Sequence, residues 1–191
     1  MSNTNSKSDN LPSLQKAIVL HLAKTEPQTI NQTATAISKG YRPTWTAFNS
    51  LENKKLVIKT GNKNYRNQDF PCYWLTDEGM IIALMEGAGA SKLLEQTKIL
   101  YPDAVAAHIF LEVIPLFDQQ ILKMARSYAK SKGKIEFVEV AQVILSGAAS
   151  GMEIETGKKI AVTLKKYPKN YEALKLVVHE MIKQLNYLIE D

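Results

Sequence analysis

Leu51-Glu52-Asn53-Lys54-Lys55-Leu56-Val57 and Tyr73-Trp74-Leu75-Thr76-Asp77-Glu78-Gly79 are the two stretches that decide how this chain folds. The first closes a helical apolar period at Leu51, turns through Lys54 and Lys55, and enters a β-favouring run, Leu56-Val57-Ile58-Lys59. The second runs the other way. Cys72-Tyr73-Trp74-Leu75 has strand character, and Thr76 can cap a helix whose first turn holds Asp77 and Glu78, where acids suit the helix dipole. Between Val57 and Tyr73 lie 15 residues. Thr60 to Phe70 among them is polar, with Gly61, Asn62, Asn64, Asn67 and Asp69 as turn formers and Lys63 and Arg66 as cations. The expectation is a two-stranded hairpin with a long polar tip.

Working towards the N-terminus, three helices precede the hairpin. Leu14, Ala17, Ile18, Leu20, His21 and Leu22 follow a helical period to about Lys24, and Glu26-Pro27 ends it because the residue before Pro is pushed out of the helical region. Thr29 is a plausible N-cap for a short helix bearing Ile30, Thr33, Ala34 and Ile37, and Ser38-Lys39-Gly40 supplies the turn after it. Arg42-Pro43 starts the third helix, with Pro expected at its first position. Thr44, Ala47, Phe48 and Leu51 form its inward face. After the hairpin, the Thr76 helix carries Met80, Ile81, Ile82, Leu84 and Met85 and ends at Gly87-Ala88-Gly89.

Helix, helix, turn, helix, hairpin, helix is the layout of a winged helix-turn-helix. The first quoted stretch resembles the Leu-Glu-x-x-Gly-Leu-Val segment that joins recognition helix to wing in MarR-like and PadR-like regulators. The second resembles their Tyr-x-Leu-Thr-x-x-Gly segment, which closes the wing. Lys55 stands where Gly is usual, so a left-handed backbone there would be strained or replaced by another turn. The resemblance covers about residues 11–88. It implies sequence-specific binding of double-stranded DNA, with the third helix in the major groove, and a dimer paired through a long terminal helix.

Residues 91–191 carry no convincing strand. Ser91 is expected to cap a helix with Leu93, Leu94, Thr97, Ile99 and Leu100, stopped by Tyr101-Pro102. Asp103 is expected to cap the next, Ala104 to about Lys130, broken or kinked at Pro115. Further helices are expected from Ile135 to about Leu145 and from Met152 to Lys166, separated by the Ser146–Gly151 turn and followed by Tyr167-Pro168. In the last, about Asn170 to Glu190, Tyr171, Leu174, Val178, Met181, Leu185 and Leu188 make an a/d seam of about three heptads. That seam packs either inside the helical part or against its copy in a second chain; dimerisation is the favoured reading. The whole is expected to be mainly α, with a disordered tail at 1–10, a winged helix at 11–89 and an all-helical dimerisation or sensing part at 90–191.

The chain has 191 residues and a net charge of +5. Residues 1–75 hold 10 Lys/Arg against 4 Asp/Glu, +6, and the remainder holds 14 against 15, −1. The basic excess therefore sits entirely in the winged-helix part, which points to an anionic partner there. One Cys excludes an intrachain disulfide framework and a Cys-cluster zinc site. The longest apolar stretch, Ala104 to Phe117, is interrupted by His108 and Glu112 and is too short for a membrane span. The first ten residues have no apolar core for a secretory signal, so a cytoplasmic protein is expected.

With Ala47, Phe48 and Leu51 inward, the outward set of the third helix is Arg42, Trp45, Thr46, Asn49 and Ser50. Asn49 suits adenine, Thr46 and Ser50 suit bases or phosphates, and Arg42 suits guanine or a phosphate. Trp45 has two readings: it packs on a thymine methyl or sugar, or it covers the gap between the second and third helices. Lys54, Lys55, Lys59, Lys63, Asn64 and Arg66 are candidate backbone contacts of the wing and its root; the alternative is a loop whose Lys and Asn serve only solubility. No catalytic constellation is present. His21, His108 and His179 fall on three different helices, no His-Glu-x-x-His, Cys-x-x-Cys or Gly-x-Ser-x-Gly occurs, and Gly157-Lys158-Lys159 lacks the loop of a phosphate-binding site. Cys72, beside two aromatics, reads as structural. An enzyme, a cofactor and a metal are thus not expected, and a small-molecule effector in the helical part is left open. The rival function is a winged-helix adaptor that binds a protein partner without reading bases.

Overall fold

The computed structural model describes residues 11–116 and 154–169, with Leu122, Lys123, Arg126, Ser127 and Ser131 besides. The expected tail, the 135–145 helix, the 146–151 turn and the whole seam from Tyr171 to Leu188 lie outside the described residues. The elements are α1 (Ser13–Leu22), β1 (Gln28–Thr29), α2 (Ile30–Ala36), α3 (Tyr41–Asn53), β2 (Val57–Tyr65), β3 (Gln68–Leu75), α4 (Asp77–Met85), α5 (Ala90–Leu100), α6 (Val105–Val113) and a 3-10 turn (Ile114–Leu116). A further helix, α7, covers Ile154–Leu164. This is a mainly α chain whose first part is a winged helix-turn-helix: α2 and α3 form the motif, and the β2–β3 hairpin is the wing.

The wing belongs to a three-stranded antiparallel sheet, not a two-stranded one. Gln28 pairs with Tyr73 and Thr29 with Cys72, so β1 lies along the base of β3. Two residues carry too little pattern to be read as a strand. The hairpin is also longer than expected. Its strands pair out to Tyr65 and Gln68, and the tip is a tight turn with Arg66 and Asn67 both at positive φ (51° and 62°), as a hairpin turn that follows the strand twist requires. The outer half of the wing is exposed on both faces, and without a covered face there is no apolar alternation to read. Thr60 is an extra residue in the ladder, where pairing passes from Lys59–Tyr73 to Gly61–Cys72.

Helix boundaries follow local chemistry. Thr29 caps α2 in a reciprocal box with Gln32: Gln32 N donates to Thr29 Oγ1 at 3.2 Å and Thr29 N donates to Gln32 Oε1 at 3.0 Å. Helix α3 starts at Tyr41 after Gly40, which places Pro43 third in the helix instead of first. The first-turn N–H groups have no intrahelical acceptor, so Pro is as well accommodated there. Gly89 and Ala104, rather than Ser91 and Asp103, precede α5 and α6, and neither makes a side-chain cap. Pro115 falls in the 3-10 turn that ends α6.

One buried cluster holds these elements together. Phe48 and Leu51 of α3, Trp74 and Leu75 of β3, Ile18 and Leu22 of α1, and Met80 and Ile81 of α4 are all 2% exposed or less. Burying a side chain such as Leu51 stabilises the fold by about 1.5–3 kcal/mol. Trp74 Nε1 donates to the Leu22 and Thr25 carbonyls at 2.9 and 3.1 Å, tying β3 to the turn that follows α1. The cluster continues without interruption into Leu93, Phe110 and Leu111 of α5 and α6. The rings of Trp74 and Tyr101 meet at a tilt of 41°, centres 6.0 Å apart, and Arg126 lies 3.6 Å from Glu78 of α4. A smaller cluster of Val113, Ile160 and Leu164 packs α7 on α6.

Candidate nucleic-acid interface

The two quoted stretches meet at the root of the wing and fix its angle to α3. Helix α3 ends in a left-handed residue: Leu56 N donates to the Leu51 carbonyl and Lys55 N to the Glu52 carbonyl, both at 2.9 Å, the bond pair of a Schellman close. The left-handed position is Lys55 itself, φ 58°. The conformation is thus kept without Gly, at a cost of about 1–2 kcal/mol. Ser38 does the same after α2, φ 54°, while Gly40 has an ordinary φ of −66°. Opposite this corner, Thr76 Oγ1 donates to the Lys55 carbonyl at 2.6 Å and accepts from Gly79 N at 3.1 Å. Thr76 N donates to the Leu56 carbonyl at 3.2 Å.

On the frame so built, the outer face of α3 carries Arg42, Trp45 and Thr46, all exposed, with Asn49 half-buried beside them. Trp45 is 47% exposed, so it stands on the surface and does not fill a gap between α2 and α3. The Asn49 amide has no hydrogen-bond partner among the described residues. Thr46 Oγ1 donates to the Arg42 carbonyl at 3.2 Å. Ser50 is different: its Oγ accepts from Gln15 Nε2 at 2.9 Å, on the side facing α1, so it does not share the outward face. Lys54 Nζ donates to the other end of the same amide, Gln15 Oε1, at 2.8 Å. Gln15 is 9% exposed and ties α3 to α1 through both residues.

The wing cations are brought near the same face, but two of them are already engaged. Lys59 Nζ is 3.8 Å from Glu52 Oε1 and lies over the Tyr73 ring, 5.8 Å from its centre. Lys63 Nζ donates to Glu26 Oε1 at 3.1 Å. Asn64 Nδ2 donates across the hairpin to Asp69 Oδ1 at 2.8 Å. Arg66, at the tip, lies over the Tyr65 ring at 5.2 Å. Arg42 and Lys55 are exposed and make no ion pair among the described residues.

Three exposed aromatics were not singled out by the sequence: Tyr41, Tyr65 and Phe70, at 55%, 62% and 40% exposure. With Lys63 and Pro71 they line a cleft of about 570 Å³ between the start of α3, the start of α2 and the wing. Tyr41 was discoverable, since it lies one turn before Trp45 on the same helix. The Glu26 and Glu52 ion pairs were not, because each joins residues of different elements.

Elsewhere the titratable groups are packed. Burial pushes the Cys72 thiol up, against the lowering effect of nearby Lys63, which fits the structural reading. Burial, then Lys24, lowers the pKa of His21, and His108 is buried in α6; His179 lies outside the described residues. Glu112 of α6, which the sequence showed only as a break in an apolar stretch, accepts from Lys98 Nζ and Tyr167 Oη through Oε1 at 3.2 and 2.7 Å and from Lys166 Nζ through Oε2 at 2.7 Å. Burial pushes its carboxyl up, but these hydrogen bonds outweigh it and hold the group below its ordinary value. Among the described residues no three His, Cys, Asp or Glu side chains form a metal-binding group, and no described helix is long and apolar enough to cross a membrane.

The fold and this face define the class: a winged helix-turn-helix with a helical extension. No protein-family profile matches the sequence and no curated protein matches it. Among solved structures the chain is similar to Lactococcus lactis ZitR, described as a zinc-responsive MarR family member, at 15% identity over 67% of this chain and 78% of that one, TM-score 0.35. A double mutant of ZitR matches at 20% identity over 52% and 67% of the two chains, TM-score 0.36. The wild type in complex with DNA matches at 15% over 70% and 81%, TM-score 0.34.

Proposed function

We propose that the protein is a transcriptional regulator that binds double-stranded DNA in a sequence-specific manner, with α3 in the major groove and the wing on the backbone. The observation that carries this is the composition of one face: Arg42, Trp45, Thr46 and Asn49 stand outward from a helix whose other side is core, beside a hairpin bearing Lys59, Lys63, Asn64 and Arg66. Described residues 11–75 hold nine Lys/Arg against three Asp/Glu, so this face is supported by a local positive field. Lys54 and Lys55 at the root supply further phosphate contacts. The test is a gel shift against random duplex at low and moderate salt. Replacing Lys63 and Arg66 by Ala weakens binding uniformly and flattens the salt dependence by about one unit of slope per lost contact. Unchanged affinity and slope would remove the wing from the interface.

Residues 11–89 are the reading part, and 90–191 pair or sense. The protein acts as a cytoplasmic homodimer through the seam of Tyr171, Leu174, Val178, Met181, Leu185 and Leu188, a reading carried by its heptad spacing. Replacing Leu185 by Asp yields a monomer in sedimentation analysis if the seam joins two chains. The protein is not an enzyme. A second reading has its own support: Trp45, Tyr41, Tyr65 and Phe70 are all exposed and Lys59 and Lys63 are paired with carboxylates, which favours an adaptor that docks a protein partner. An adaptor leaves random duplex unshifted at low salt.

A further inference from the structure

We propose that α3 reads an A·T-centred site, with Trp45 packing on a thymine 5-methyl group and Asn49 pairing with adenine one or two steps away. The inference rests on the DNA-binding reading above and goes beyond it to the sequence class recognised. Tyr41, Trp45 and Asn49 occur at i, i+4 and i+8, so two aromatics and an amide run along one lane of the helix. Trp45 and Asn49 are separated by about 6 Å along the axis, roughly the rise of two base-pair steps. Thr46, between them, has its hydroxyl hydrogen engaged by the Arg42 carbonyl. What it offers outward is a methyl group and an acceptor lone pair.

The chemistry of that lane discriminates. Guanine is read by the bidentate donors of Arg or Lys on its O6 and N7. Positions 45, 46 and 49 hold neither. Adenine is read by an amide that accepts from N6 and donates to N7, and thymine is marked by the methyl group that an apolar side chain can cover. Asn49 has an amide with no partner among the described residues, and Trp45 has half its surface in water. Covering the methyl group relieves part of that exposure, whereas a G·C pair in its place has no methyl group to cover. Arg42, in the first turn, and the cations of the root and wing surround the lane, which makes a nucleic acid a better occupant of it than an apolar protein surface.

The experiment is selection of duplexes from a random pool by the full chain, followed by affinity measurements on the selected duplex with single thymines replaced by deoxyuridine or single adenines by 7-deazaadenine. The selected sites are A·T at the centre of the half-site. One thymine-to-deoxyuridine change costs wild type about fourfold in affinity, the value of one buried methyl group. One 7-deazaadenine change costs about tenfold. Trp45→Ala abolishes the methyl effect while keeping the 7-deaza effect; Asn49→Ala does the opposite. Trp45→Phe keeps part of the methyl effect, which separates contact from loss of fold. Selection of G·C at these positions, no methyl effect in wild type, or a full methyl effect in Trp45→Ala overturns the proposal. Failure to bind any duplex at low salt overturns instead the reading on which it rests.

Discussion

Gly79 lies so close beneath the carbonyl of Leu56 that a side-chain Cβ placed on it would drive into that oxygen. The same carbonyl accepts from Thr76 N, so it cannot simply turn away. Helix α4 and the root of the wing are thus packed backbone to backbone, and the angle at which the wing leaves α3 depends on a missing methyl group.

Gly79→Ala therefore destabilises the protein by about 1–3 kcal/mol through overpacking, although helix propensity alone would favour Ala by about 1 kcal/mol. Urea denaturation decides between the steric and the propensity effect by sign: a lower midpoint for Gly79→Ala is the steric outcome, a higher one the propensity outcome.

Lys55 couples stability to binding in opposite directions. Lys55→Gly relieves the left-handed backbone and stabilises the fold by about 1 kcal/mol, visible as a raised Tm. If Lys55 touches a phosphate, the same variant loses about one unit of salt slope. A more stable protein with weaker DNA binding is the expected pair of results.

Glu26 and Glu52 hold Lys63 and Lys59 in the free protein. Exposed pairs of this kind contribute only about 0–1 kcal/mol to stability. Glu26→Gln and Glu52→Gln should leave Tm nearly unchanged and tighten binding to random duplex, because the cations no longer exchange one anion for another. A fluorescence anisotropy titration showing equal or weaker binding would place those lysines outside the contact.

The Glu112 cluster predicts a stability window in pH. The folded-state pKa of Glu112 is depressed below 4.5, so its contribution is present above about 4.5 and is lost as pH falls through the folded value. Burial, reinforced by the Glu112 carboxylate, raises Tyr167 from 10.0 to about 12; that contribution is present below 10 and lost as pH rises towards 12. The Tm difference between wild type and Glu112→Gln should be level at neutral pH and shrink at both pH 3 and pH 11.

Much of the winged helix was legible because its signals are local. The inward set of Thr44, Ala47, Phe48 and Leu51 is buried as expected, and Thr29 and Thr76 cap the helices they were expected to cap. What escaped depends on partners distant in sequence. β1 exists only because β3 lies beside it, the outer wing has no covered face to impose a pattern, and Ser50 turns towards α1 because Gln15 is there. Glu112 gathers Lys98, Lys166 and Tyr167 from elements as far as 55 residues away, a juxtaposition no periodicity encodes.

The buried cluster that runs from Ile18 through Trp74 to Phe110 carries a consequence for how the molecule comes apart. A fragment cut after Gly89 would leave the wall of Trp74 and Met80 open to water, so the winged helix is not an excisable cassette. Melting of the segment from α1 to α6 should be one cooperative event reported alike by either tryptophan's surroundings. Whatever loosens α5 and α6 is felt at β3, whose last residue, Leu75, adjoins the Thr76 that bonds the root of the wing at Lys55 and Leu56.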